Sequence, residues 1–376
     1  MESFFGVAYR VTVRAKGRLC RSRAGDPDLG VPDPTRTAEG WGGKNGKEES
    51  VVQFEQTFMN FLLEHQEKHH RTHHFLILMD ALISAANHIQ HYYLTGALKG
   101  NLGLAGAVNV QGEDVMRMDE IAHEITIHYL RASGRVIHAV SEESDEIVSI
   151  NPESGRYFVY FDPLDGSSNV SHGLPVGFLF GIAKRNLEGP EDGHLRAGKD
   201  YIAAGMFVIP TGTFTIGLKD AGTWRFHTDE TMTFVRPTRL ILPEDPKTWE
   251  LSFNASNRRT YAERVRAWIT EHEERYTFRY LGALAGDFHR ILANGGMFMY
   301  PAIVNHPDPK KNRPEGKLRL MYEAAVVAFM CREAGGTAVN EKGVPILEIQ
   351  PEKHHQRSAL YVGSRGLVED ICRCLK

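Results

Sequence analysis

From about residue 51 the chain alternates between apolar positions spaced three to four apart and short runs dense in β-branched and aromatic residues. Phe75, Leu78, Met79, Leu82, Ala86, Ile89 and Tyr93 recur at helical spacing and predict a helix over Phe75–Leu94 with one buried face; a second helix is predicted over Val51–Leu63. The stretch His69–His74 between them reads as a solvated helix junction, because no carboxylate or cysteine completes a metal site there. Beyond Asp119, helical and strand-like patterns alternate to about Lys184, and strands then dominate through Phe234. Val136–Val140 and Tyr157–Phe161 read as buried strands. Tyr201–Ile209, Thr211–Leu218 and Thr231–Val235 read as strands between Gly, Pro and Asp breaks. Pro237–Lys247 reads as a connecting loop, followed by a strand at Trp249–Phe253 and helices at Arg258–Glu271 and Leu318–Ala334. This order predicts a layered α/β architecture in two halves, residues 51–243 and 244–376, meeting near Leu240–Lys247.

The first 50 residues break the pattern. Arg10, Arg14, Lys16, Arg18, Arg21 and Arg23 precede Asp26 with Glu2 as the only earlier acid, and a Gly/Pro/Asp-rich stretch follows to Ser50. Little here can be buried, so a disordered extension is expected; the segment is too poor in serine and helical pattern for a transit peptide. Elsewhere, 42% hydrophobic content over 376 residues suffices for a large core. A net charge of -3 gives no electrostatic case for nucleic acid or a membrane surface, and no apolar run approaches the ~20 residues that span a bilayer. Partners are expected to be small molecules or copies of the chain itself. Cys20, Cys331, Cys372 and Cys374 show no disulfide or zinc spacing, which fits a reducing, cytoplasmic setting.

Chemistry concentrates in Phe161–Asn169, which reads Phe-Asp-Pro-Leu-Asp-Gly-Ser-Ser-Asn. Asp162 and Asp165 follow a buried strand, Pro163 bends the chain, and Gly166, Ser167 and Ser168 offer backbone N–H groups at a helix start, where a phosphate oxygen is well held. The plain alternative is a polar turn with capping serines. Against it, Glu142 and Glu143 close the other apolar run, and four carboxylates at the ends of neighbouring strands repel one another unless cations lie between them. Glu323 offers a separate check. It sits in Leu318–Met330 among neighbours that are apolar on every helix face, so its carboxylate needs a cation or a bonded partner such as Arg319.

The nine-residue string resembles the signature of the class I fructose-1,6-bisphosphatases, within the lithium-sensitive, magnesium-dependent phosphatases that also include inositol monophosphatases; the likeness extends over roughly Thr72–Leu375. It implies the sugar-phosphatase fold of alternating helix and sheet layers. It also implies hydrolysis of the 1-phosphate of fructose 1,6-bisphosphate, as in gluconeogenesis or the Calvin cycle. By this resemblance Glu142, Asp162, Asp165, Glu323 and the Leu164 carbonyl are ligands of two or more Mg²⁺ or Mn²⁺ ions, a choice that the hard oxygen donors also favour. Asp119 and Glu143 match the acids that orient and deprotonate the attacking water, and Glu113 falls where the family's mobile loop supplies another acid. Asp165, Gly166, Ser167 and Ser168 would hold the reacting phosphate, while Asn254, Arg279, Tyr280, Tyr300 and Lys317 match residues that grip the 6-phosphate. The counterpart of Arg279 reaches into a neighbouring subunit, which implies a homotetramer. Two departures stand out near this pocket: Asn257 where animal enzymes have tyrosine, and Leu284 where methionine is usual. The AMP pocket of the family corresponds to Arg71–Leu76, Arg156, Tyr157 and Lys184; with His74 and Leu76 in place of its glutamate and threonine, AMP inhibition is expected to be weak or absent. The segment after Gly181 lacks the regulatory cysteines of plastid members, so no thiol switch is expected. Sedoheptulose-1,7-bisphosphatase activity is the close alternative. An inositol-type monophosphatase would not require the second phosphate pocket, and a catalytically dead regulatory relative would be expected to have lost an acid.

Overall fold

The computed structural model describes residues 55–69, 72–96, 118–185, 193–246 and 249–375. Residues 1–50, where the extension is expected, and Glu113 lie outside the described residues. Three helices come first: α1 (Phe58–His69), α2 (His73–Gly96) and α3 (Met118–Ser133). All seven apolar positions of the α2 periodicity are buried. His73 and His74 belong to α2 instead of preceding it, and His70 and Arg71 are outside the described residues.

Eight strands follow: β1 (Val136–Ser141), β2 (Val148–Ser149), β3 (Tyr157–Asp165), β4 (Val176–Lys184), β5 (Tyr201–Ile209), β6 (Thr213–Leu218), β7 (Gly222–Thr228) and β8 (Phe234–Leu240). They form one sheet in the order β2-β1-β3-β4-β5-β6-β7-β8, with only β1 and β3 parallel. The last strand was expected to end at Val235. It continues through Pro237, which is tolerated because β8 is the edge of the sheet and proline's missing donor breaks no interior ladder.

After Leu240 the chain builds a second, five-stranded sheet from β9 (Trp249–Ser252), β10 (Tyr276–Phe278), β11 (Met297–Tyr300), β13 (Thr337–Val339) and β15 (Leu360–Gly363), ordered β10-β9-β11-β15-β13. A small pair, β12 (Leu318–Arg319) and β14 (Arg357–Ser358), stands apart. The helices here are α4 (Glu263–Glu271), α5 (Leu284–Asn294), α6 (Ala325–Glu333) and α7 (Arg365–Leu375). Helix α4 starts later than the expected Arg258, because Ala255–Thr260 forms a separate 3₁₀ turn.

Period-two alternation along the strands sets the layers. Tyr157, Val159 and Phe161 pack with α1, α2 and α3, whereas Phe158 and Tyr160 pack with α5 and α6 on the other face. In the second sheet Phe298, Leu360 and Val362 join α5 and α6, whereas Met297, Met299 and Tyr361 join α4 and α7. Helices and sheets therefore alternate through the molecule, with α5 and α6 sandwiched between the two sheets. Each fully buried Phe or Leu in these clusters contributes about 1.5–3 kcal/mol.

Candidate active site

The predicted helix over Leu318–Ala334 is absent in that form. Leu318–Arg319 is strand, Leu320–Ala324 is a single π-helical turn, and regular helix begins only at Ala325. Pairing with β14 holds the start of this stretch extended, and the wide turn absorbs the change from strand to helix. Glu323 lies on that turn, 7% exposed, with Oε2 accepting the Arg319 backbone N–H at 2.5 Å. The Arg319 guanidinium pairs elsewhere, with Nε 3.6 Å from Oε1 of Glu142.

Asp162 and Asp165 come from the end of β3. In a regular strand residues three apart face opposite ways, but the register of β3 against β4 slips between Asp162 and Asp165, so both carboxylates reach the same cavity. Asp162 Oδ1 accepts the Leu164 N–H at 2.9 Å across Pro163. Asp165 Oδ2 accepts the Ala285 N–H at 2.7 Å, in the first turn of α5. That approach needs a bare neighbour: a Cβ on Gly177 would come within 2.3 Å of the Ala285 Cβ and 3.1 Å of Asp165 Oδ2. Gly166 follows at φ 78, in the left-handed region that only glycine enters freely, and opens the 3₁₀ turn Ser167–His172.

Glu142 and Glu143 form the turn after β1. The Glu142 N–H donates to the Phe161 carbonyl at 3.1 Å, and the Glu143 N–H donates to Ser141 Oγ at 3.2 Å. Ser141 Oγ also lies 2.8 Å from Nδ1 of His123, whose ring stacks on Phe161, so α3 and this turn are tied together. Asp119, in the first turn of α3, is 3% exposed and faces the same cavity.

Carboxylate oxygens of Asp162, Asp165 and Glu323 lie within 4.8 Å of one another, and all three residues are buried. Burial pushes the Asp165 carboxyl up to about 7, opposed by the Ala285 and Leu284 amides and reinforced by Glu142 and Asp287. Asp162 is raised well above the usual range by burial and then by Glu142, Asp165 and Glu323; Glu323 is raised by burial and Glu142, partly offset by the Arg319 N–H. Buried like charges at this spacing fit a hard divalent cation with oxygen ligands.

The cavity measures about 640 Å³ and also takes residues of the second sheet region: Asn254, Tyr280, Tyr300 and Lys317, together with Leu164, Gly166, Ser167 and Ser168 from the first. Asn254 caps the 3₁₀ turn after β9 by accepting the Ser256 N–H at 3.1 Å. Burial, with Tyr300 and Asp287, pushes the Tyr280 hydroxyl up, so it stays a donor at neutral pH. Arg279 is not among the lining residues. It is exposed, and its Nη1 donates to the Phe278 carbonyl at 2.9 Å.

Every expected acid among the described residues therefore lines one cavity, together with the expected phosphate residues other than Arg279. The family model for the fructose-1-6-bisphosphatase N-terminal domain matches residues 56–236, and that for its C-terminal domain matches residues 242–376. The chain belongs to the fructose-1,6-bisphosphatase family. It is 68% identical over 329 residues to the class 1 fructose-1,6-bisphosphatase of Syntrophus aciditrophicus, covering 86% of this chain and 99% of that one. The class 1 enzyme of Chlorobium chlorochromatii is 36% identical over 322 residues, covering 82% and 94%. Among solved structures, the holo form of Leishmania major fructose-1,6-bisphosphatase superposes with a TM-score of 0.75 at 28% identity, over 86% of this chain and 99% of that one.

Three charged lining residues were not anticipated from the sequence: Asp287, the Arg319 guanidinium and Arg357. Asp287 had a signal, an acid in the first turn of a helix, and it accepts the Leu281 and Gly282 N–H groups at 2.9 and 3.0 Å and the Ser252 hydroxyl at 2.8 Å. Arg319 was weighed only as a partner for Glu323. Arg357 carried no local signal.

Proposed function

We propose that this chain hydrolyses fructose 1,6-bisphosphate at its 1-phosphate, releasing fructose 6-phosphate and phosphate. The observation that carries this reading is the convergence of buried acids from the end of β3 and the π turn, with Glu142 and Glu143 from the turn after β1, on a cavity that Lys317, Tyr280 and Tyr300 also line. Glu142, Asp162, Asp165, Glu323 and the Leu164 carbonyl would hold Mg²⁺ or Mn²⁺. When bound, such ions polarise the phosphoryl group and offset charge on the departing sugar oxygen. The carboxylates of Asp119 and Glu143 orient the attacking water and accept its proton. Backbone N–H and hydroxyl groups of Ser167 and Ser168, after the Gly166 turn, cradle the reacting phosphate.

The second phosphate is gripped by Lys317 with Asn254, Tyr280 and Tyr300. The outward position of Arg279 on one chain supports its serving a neighbouring copy, in a homotetramer working in the cytoplasm. Among the described residues no helix is long and apolar enough to cross a membrane.

Phosphate release from fructose 1,6-bisphosphate, sedoheptulose 1,7-bisphosphate and inositol monophosphate, with Mg²⁺ or Mn²⁺ and after chelation, tests the reading. Fastest turnover is expected on the hexose bisphosphate, abolished by chelator and restored by metal. Turnover that survives complete chelation, or that ignores the second phosphate, would overturn it.

A further inference from the structure

One wall of the cavity carries more positive charge than the sequence suggested. Arg319 of β12 and Arg357 of β14 are direct partners in the antiparallel pair, and Lys317 immediately precedes β12. All three line the cavity that holds the acids. Arg357 enters no ion pair among the described residues; its Nη1 donates instead to the backbone carbonyl of Lys317 at 3.0 Å. The two segments are pressed together there. Gly316 sits at φ 99, and a Cβ on it would fall 2.0 Å from the Ala359 nitrogen, so only glycine lets the chain entering Lys317 lie against β14.

The electrostatics point the same way. Partial burial and then the charges of Arg319 and Arg313 push the Arg357 pKa down, while Glu323 and Glu142 pull it up. A guanidinium does not give up its proton at any pH the enzyme meets, so its charge persists in the cleft, offset in part by Glu142 and Glu323 and open to a further anion. The Arg319 charge is partly met by Glu142, which leaves Lys317 and Arg357 facing the cleft together.

We infer that Arg357 is a positioning residue for substrate binding: its hydrogen bond to the Lys317 carbonyl fixes the backbone from which the Lys317 ammonium reaches a phosphate, and its charge adds to the field that draws the dianion in. The inference rests on the proposed bisphosphate reading for its substrate. One charge-assisted hydrogen bond and one cation removed correspond to a loss of about 10- to 100-fold in affinity.

Arg357→Ala, Arg357→Gln and Arg357→Lys test it by steady-state kinetics, with thermal melting to check folding and equilibrium binding of inorganic phosphate to the Mg²⁺-loaded protein. Arg357→Ala and Arg357→Gln are expected to raise KM for fructose 1,6-bisphosphate about 10-fold or more with a smaller fall in kcat, and to flatten the dependence of kcat/KM on ionic strength. Arg357→Lys is expected to recover the ionic-strength dependence and part of KM. Unchanged KM in a folded Arg357→Gln protein would overturn the inference, as would losses that follow melting temperature and are not relieved in Arg357→Lys. If the wild type leaves fructose 1,6-bisphosphate untouched, the functional reading has failed on its own; weaker phosphate binding by Arg357→Gln then still supports the role of Arg357, and equal binding refutes it.

Discussion

Stripped of divalent cations, the protein should lose stability as pH rises, in a direction and amount set by its buried acids. Asp165 carries the clearest figure: an ordinary carboxyl at 3.8 is displaced to about 7 in the folded chain. A group raised on folding stabilises the native state below its unfolded pKa and loses that contribution as pH climbs through the folded value. At ~1.4 kcal/mol per pH unit, Asp165 alone accounts for a loss on the order of 4 kcal/mol between about pH 4 and 7. Asp162 and Glu323 are displaced the same way. For a chain of this size that corresponds to a fall in Tm on the order of 10 °C. Mg²⁺ competes with protons for the same oxygens, so saturating Mg²⁺ should erase most of the fall, and the gap between melting curves with and without metal should widen from pH 5 to 8. Glu323→Gln keeps the acceptor for the Arg319 N–H while removing one charge. Without metal at pH 8 it should melt higher than wild type, and it should gain less from Mg²⁺. Thermal melts in chelator and in excess Mg²⁺ at closely spaced pH values decide the matter. Parallel curves, or a metal-free Glu323→Gln protein less stable than wild type at pH 8, would show that these carboxylates are not under mutual strain.

Asp119→Ala should lower kcat by about 10²- to 10⁴-fold with KM little changed, because the residue is assigned to proton transfer and not to holding substrate; normal turnover would remove it from the chemistry. Gly177→Ala should destabilise by about 1–3 kcal/mol through overpacking against Ala285 and should weaken Mg²⁺ dependence by moving Asp165; a full-strength Mg²⁺ response in a destabilised variant would separate the two effects. AMP at millimolar concentration should leave activity nearly unchanged, since α2 carries His74 and Leu76 where the family's AMP pocket has a glutamate and a threonine; cooperative inhibition in a rate titration would contradict this.

Much of the fold was legible because its periodicity is clean. Helix α2 carries one apolar stripe, and β3 is apolar on both faces because helices cover the sheet on both sides there. Legibility failed where a second constraint overrode local pattern. The second half of β8 reads as loop because Arg236, Thr238 and Arg239 face solvent and Pro237 interrupts it, all of which an edge strand permits. Leu318–Ala334 reads as one helix because its residues are apolar on every face; the break at Ala324 comes from pairing with β14, nearly 40 residues downstream in sequence, which no local window contains. Glu142, Asp162 and Asp165 were legible because they follow apolar runs and Glu323 because it interrupts one, whereas Asp119 stood out only through the family resemblance. Arg357 was not, because its significance lies in meeting Lys317 and Arg319 across that same pairing.

Helix α5 explains how residues from the two sheets come to share one site. Its first turn supplies the Ala285 N–H that orients Asp165 at the end of β3. Two residues on, Asp287 holds the Leu281 and Gly282 amides and the Ser252 hydroxyl, fixing the loop that carries Tyr280 into the cavity. The helix start thus satisfies an unpaired amide with the Asp165 carboxylate while its own Asp287 carboxylate anchors the loop that carries Tyr280. A shift of α5 cannot alter one without the other. The β12–β14 pair makes a second such connection, joining Glu323 through the Arg319 amide to Lys317 through the Arg357 guanidinium. On the proposed assignment, short backbone hydrogen bonds tie the residues that would hold metal to those that would hold the distant phosphate at both α5 and the β12–β14 pair, an arrangement that favours a bisphosphate over a monophosphate.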